Sequence, residues 1–174
     1  MLLLNKQPPV FRFALRDDVD MSFLPKKAED KATGWDVRCA EPKGVLFHPG
    51  EMVTIRLGFR MFAPDGWWLE LRPRSGTFVK KSIHALYGVI DETYSNELLF
   101  AARYLPAPSD PRVWVTQTPL HNLFIDYGER IGQIIPVRRE EMIVEEITND
   151  DYDKFCEDRN ASRGTGGFGS TGDK

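Results

Sequence analysis

Cysteine is nearly missing from this chain: its two residues, Cys39 and Cys156, lie far apart and outside any C-x-x-C or Cys/His pattern. That argues against a zinc site or a disulfide framework, suits a reducing compartment, and leaves both thiols expected free and partly buried. An excess of basic charge is missing too. Lys and Arg number 23 against 26 Asp and Glu, for a net charge of -3 and a pI near 5.7. Nothing there provides the electrostatic footprint of a nucleic-acid polymer as partner, although a single nucleotide needs only a few local donors. Long apolar runs are also lacking. The opening MLLLNKQPPV is apolar for a few residues only, short of a signal peptide's basic and apolar regions or of the ~20 residues of a membrane span. The expectation is a cytoplasmic protein with no membrane partner.

What is present reads as β structure. At 174 residues, 41% hydrophobic and 28% charged, the chain has the size and composition of one globular domain. Val10–Leu15, Met52–Met61 and Trp67–Arg72 alternate apolar and polar residues, the period of a half-buried strand. Gly34, Gly44, Gly50, Gly58, Gly66 and Gly76 punctuate these runs, with PGEM and PDGW as turns. Ile131–Val137 is a further strand. The best helix candidate is Thr93–Tyr104, yet a strand is favoured there because it follows the β-like YGVID and precedes a proline-rich connector. These features predict an all-β barrel or sandwich. The domain is expected over residues 1–160, with an elaborated loop near 106–118. The closing SRGTGGFGSTGDK is too rich in glycine, serine and threonine to order itself by burial, so 161–174 reads as a flexible arm.

Single motifs say little. ATGWDV sets Asp36 after a glycine turn, where an aspartate is also ordinary turn chemistry. RPRSG places Ser75 and Gly76 after Arg72 and Arg74, as a basic turn or as an anion nest of exposed amides. YGVIDETY puts Asp91 at a strand end, where a carboxylate can deprotonate a water or simply serve a turn. GERIGQ offers Gln133, which can donate and accept. In the tail, Arg163 and Phe168 stand among glycines, a pairing able to clamp a phosphate and cover a flat ring.

Their order carries more. G-W-D, R-S-G, G-V-I-D-x-x-Y, G-x-R-I-x-Q and R-G-x-G-G-F-G-S-T-G follow one another from Gly34 to Gly172. This resembles the five-motif signature of the homotrimeric dUTPase family, over about four-fifths of the chain. The resemblance implies a jelly-roll-like β fold and hydrolysis of dUTP to dUMP and pyrophosphate with Mg²⁺. It also implies a homotrimer whose active sites are shared between subunits. By position, Asp91 would be the general base and Tyr94 would pack under the deoxyribose. Gly88, Val89, Ile90 and Asp91 would lie along a hairpin that reads uracil. Arg74, Ser75, Gly76 and Gln133 would meet phosphates, and Asp36 the magnesium through its water shell. Arg163 would pair with the γ-phosphate, while Phe168, with Gly169, Ser170 and Thr171, closes over the base. Thr93, Asn96 and Leu99 depart from the family pattern, and the Thr77–Tyr87 hairpin looks short. The rival readings are a dCTP deaminase-like enzyme and a regulatory binding protein on the same scaffold.

Overall fold

The computed structural model describes residues 7–106 and 122–159. Most of the 106–118 loop and the whole 161–174 arm lie outside the described residues. The chain divides into two compact units, residues 1–140 and 141–174.

The first unit is built of antiparallel strands. β1 (Arg12–Leu15), β4 (Met52–Phe62), β8 (Glu97–Tyr104) and β6 (Ile83–Ala85) make one four-stranded sheet in the order β1-β4-β8-β6. A second sheet has the order β2-β10-β5-β7, from β2 (Trp35–Arg38), β10 (Arg130–Arg138), β5 (Trp67–Pro73) and β7 (Gly88–Ile90). β3 (Val45–Phe47) pairs with β9 (Leu123–Ile125). Alternation along each strand sends one set of side chains inward. Ile55, Phe59, Leu98 and Phe100 come from the first sheet, and Val37, Leu69, Leu71 and Ile134 from the second. With Phe47 and Ile125 they form one buried core. The result is the expected all-β, jelly-roll-like sandwich. Cys39 is buried in that core and Cys156 is partly exposed, both free, and burial pushes the Cys39 thiol up.

The strands fall where alternation places them, and Thr93–Tyr104 contains strand rather than helix. Helices appear elsewhere. RPRSG is no β-turn: Ser75 opens helix α1 (Ser75–Lys81), with Arg74 at its N-cap and Ser82 closing it at φ 54°. The Thr77–Tyr87 hairpin is therefore replaced by this helix and β6. β6 pairs with β8 while β7 pairs with β5, so the two short strands belong to different sheets. The buried Thr77 hydroxyl ties α1 down by donating to the Ile131 carbonyl at 2.8 Å.

The second unit holds helix α2 (Asn149–Asp158), which neither the alternation nor the motifs indicate. Thr148 caps it by accepting from the Asp151 N–H at 3.1 Å. Asp150 and Asp151 stand in its first turn, where carboxylates suit the helix dipole. Among the described residues no helix is long and apolar enough to cross a membrane.

Candidate active site

Strand register decides which motif residues meet. Gln133 on β10 lies opposite Asp36 on one side and Arg72 on the other. Pairing of Leu71 with Gly88 brings Arg72 level with Tyr87, whose ring the guanidinium overlies at 5.6 Å. Val37, Ile134, Leu71, Leu69 and Ile90 point into the core. By the two-residue period of a strand, Asp36, Gln133, Arg72, Glu70, Trp68 and Val89 line the opposite face.

Asp36 is the electrostatic hub of one end of this face. One of its oxygens faces Arg74 Nε at 3.1 Å and the other accepts from Arg130 Nη1 at 3.0 Å. Its side chain is only 12% exposed, so the pair of arginines neutralises a carboxylate that is largely out of water. The hub aims Arg74, and Arg74 precedes Ser75 and Gly76 at the start of α1. The first N–H groups of a helix have no intrahelical acceptor. Ser75 is exposed, and a Cβ added at Gly76 would meet nothing within 4 Å, so there is space beside these amides for an anion. Gln133 reaches back over Gly34, where an added Cβ would fall 2.7 Å from Gln133 Oε1. That contact gives the glycine of G-W-D its reason.

The other predicted group sits further along the same face. Asp91 follows β7 directly and lines an open cleft of about 310 Å³ with Trp67, Trp68, Val89, Glu92, Thr93 and Arg139. The Tyr94 N–H donates to the Asp91 carbonyl at 3.0 Å, closing a tight turn, and the Tyr94 hydroxyl donates to the Glu97 carbonyl at 3.0 Å. Continuing the register, Asp91 stands level with Trp68. From there to the Gln133 row is about 13 Å along the strands and about 10 Å across them, at ~3.3 Å per residue and ~4.8 Å per strand. The structure thus gathers Asp36, Arg74, Ser75, Gly76 and Gln133 at one end, while Val89 and Asp91 run towards the other from Gly88, which lies one row from Gln133. Ile90 turns into the core, and Tyr94 packs against it and lines a separate cavity with Phe13 and Met61. Arg163, Phe168, Gly169, Ser170 and Thr171 lie outside the described residues.

Among the described residues no group of three or more His, Cys, Asp or Glu is arranged to hold a metal. Asp36 suits an outer role instead. A carboxylate offers about four lone-pair sites, and with one arginine on each oxygen it keeps acceptor capacity for waters on a cation. Arg130 and Glu92 were not singled out by motif. Arg130 was visible as the arginine of G-x-R-I-x-Q, but only pairing of β10 with β2 shows that it faces Asp36.

No family model matches the chain. A curated relative does: the chain is 32% identical over 165 residues to the deoxyuridine 5'-triphosphate nucleotidohydrolase of Hydrogenobaculum sp., covering 92% of this chain and 95% of that protein. The chain belongs to the deoxyuridine 5'-triphosphate nucleotidohydrolase family. Another member, from Paramecium bursaria Chlorella virus 1, is 29% identical over 154 residues, with 88% of this chain and 93% of that one covered. Among solved structures, the dUTPase of Staphylococcus bacteriophage 80alpha with dUPNHPP aligns at a TM-score of 0.71 and 20% identity, over 94% of this chain and 99% of that one. A mutant of the dUTPase from phage phi11 of S. aureus, described with a structural Mg(II) ion, aligns at 0.66 and 18%, over 80% and 97%. At these identities the likeness shows the fold that dUTPase family members share.

Proposed function

We propose that the chain hydrolyses dUTP to dUMP and pyrophosphate, with Asp91 as the general base that activates the attacking water. Family membership supports the reaction. The observation that carries the site is the Asp36–Arg74–Arg130–Gln133 cluster beside the open amides of Ser75 and Gly76. Phosphoryl chemistry demands positioning and neutralised oxygens more than covalent help, and this cluster offers both. Arg74, Ser75, Gly76 and Gln133 bind phosphate oxygens in this reading. Gly88, Val89 and Ile90 offer backbone groups to the base, Tyr94 packs under the deoxyribose, and Arg163 and Phe168 engage the γ-phosphate and the uracil ring. Mg²⁺ accompanies the triphosphate as a hard ion that retains waters. Asp36 accepts from those waters, and the ion adds neutralisation of phosphate charge.

A general base must come within about 3 Å of its proton, directly or through one water. Asp91 and Gln133 of one chain are several times further apart than that. A complete site therefore draws Asp91 from one copy and the phosphate cluster from another, which supports the homotrimer with shared sites. Work in the cytoplasm, on a free nucleotide rather than a polymer, is part of the same proposal.

The test is purified protein with Mg²⁺ and dUTP, dCTP, dTTP or UTP, reading pyrophosphate and ammonia. Pyrophosphate from dUTP alone is expected, and Asp91→Asn should lose about 10²–10⁴-fold in turnover, as for removal of a general base. Ammonia from dCTP, or an Asp91→Asn variant with normal turnover, would overturn the assignment.

A further inference from the structure

The residue after the proposed base makes a closed ring of contacts that the reaction itself does not call for. Glu92 Oε2 accepts from the Gly66 N–H at 2.8 Å, and Glu92 Oε1 accepts from Arg139 Nη1 at 2.8 Å. The Arg139 N–H in turn donates to the Gly66 carbonyl at 2.8 Å. Three separate pieces of chain meet there: the turn between β4 and β5, the turn after β7, and the end of β10. Gly66 takes φ +75°, the left-handed region that glycine enters at little cost, and both polar groups of this residue are used by the ring. Glu92 stands inside the Asp91–Tyr94 turn, so whatever holds it holds the Asp91 backbone one bond away.

From this we propose that Glu92 is a positioning residue for catalysis: by clasping Gly66 and Arg139 it fixes the turn that aims the Asp91 carboxylate. The inference rests on the reading of Asp91 as base. The Asp91 side chain is exposed and lines an open cleft, so its aim depends on its backbone. β7 is only three residues long, and beyond Ile90 the ladder with β5 ends. Glu92 takes over as the anchor where the strand stops. The Gly66 N–H, and after it the Arg139 guanidinium, hold the Glu92 carboxyl below the usual glutamate range. The clasp is therefore complete at neutral pH and is lost only as pH falls through that lowered value.

The consequence is a particular kinetic signature. Misplacement of a reacting group by about 1 Å can cost on the order of 10²-fold in rate. Glu92→Ala should lower kcat for dUTP by about 10–100-fold on this basis, with KM changed by less than about threefold, because the phosphate cluster of the same site comes from another copy and does not lean on Glu92. Glu92→Gln keeps an oxygen for the Gly66 N–H and should recover most of the loss. Hydrogen exchange at Gly66 and across 91–94 should quicken in Glu92→Ala and stay near wild type in Glu92→Gln. An unchanged kcat in Glu92→Ala, or a loss matched by the same fall in folded protein and not rescued by Glu92→Gln, would overturn the proposal. If the wild-type protein does not hydrolyse dUTP, the functional reading fails instead. The exchange measurement still decides the clasp: unaltered protection at Gly66 and 91–94 in Glu92→Ala would show that Glu92 fixes nothing.

Discussion

At residue 34 there is room for a hydrogen and nothing more. The Gln133 amide occupies the space where a Cβ would stand, while the backbone of Gly34 is not in the left-handed region that only glycine enters freely. An alanine there is thus excluded by a neighbour, not by its own torsion angles. The tightest contact is the far end of a flexible side chain and can swing away, and the Gln133 Cβ, at 3.2 Å, need give by only a few tenths of an ångström, so the fold tolerates what the proposed site does not. Gly34→Ala should leave the melting temperature within a few degrees of wild type while lowering kcat/KM for dUTP on the order of tenfold, through displacement of Gln133. Equal activity in steady-state assays would show that the Gln133 amide is not needed where the structure puts it.

Among the elements, β4 is the one whose regular pattern misleads. Its alternation reads as a continuous ten-residue strand, yet Leu57, Gly58 and Phe59 are buried in succession. A bulge between Arg56 and Arg60 shifts the register against β8. Gly58 turns the chain there at φ +82°. Its N–H donates to Glu97 Oε1 at 2.9 Å and its carbonyl accepts from the Arg16 N–H at 2.9 Å. A Cβ at this position would lie 2.9 Å from the Ala40 Cβ. Gly58→Ala therefore combines torsional strain with a collision inside the sandwich, and strain of this kind alone costs roughly 1–3 kcal/mol. The expected result is a urea midpoint shifted clearly downward with an unchanged slope. A midpoint equal to wild type would mean that the bulge relaxes freely.

For the whole molecule, the spacing between Asp91 and the phosphate cluster has a consequence that a single chain cannot show. Two defective chains should repair each other. Asp91→Asn supplies an intact cluster, and Gln133→Ala, expected to lose about 10–100-fold from a hydrogen bond to a charged group, supplies an intact base. Refolded together in equal amounts and assembled at random in a ring of equivalent interfaces, they should regain about a quarter of wild-type turnover, since one pairing in four joins two intact halves. Light scattering should report a trimer for wild type and mixture alike. A mixture no more active than the average of its two components would place the whole site within one chain.

Much of this protein was decided by residue order alone. Alternation over Val10–Leu15, Met52–Met61, Trp67–Arg72 and Ile131–Val137 marked strands, because a half-buried strand needs a two-residue period whatever it pairs with. The spaced motifs from Gly34 onward indicated the family, and with it the jelly-roll-like fold. Helices α1 and α2 escaped that reading. α1 is too short for helical periodicity to show and is held by Thr77 on Ile131. α2 announces itself only through Thr148 and the aspartates that follow it, a capping signal easily taken for an acidic tail. Only tertiary structure put Arg130 and Arg74 on Asp36, laid Gln133 over Gly34, and closed Glu92 on Gly66 and Arg139. Each of these contacts joins segments distant in sequence, and strand register, which has no local code, sets which of them face one another.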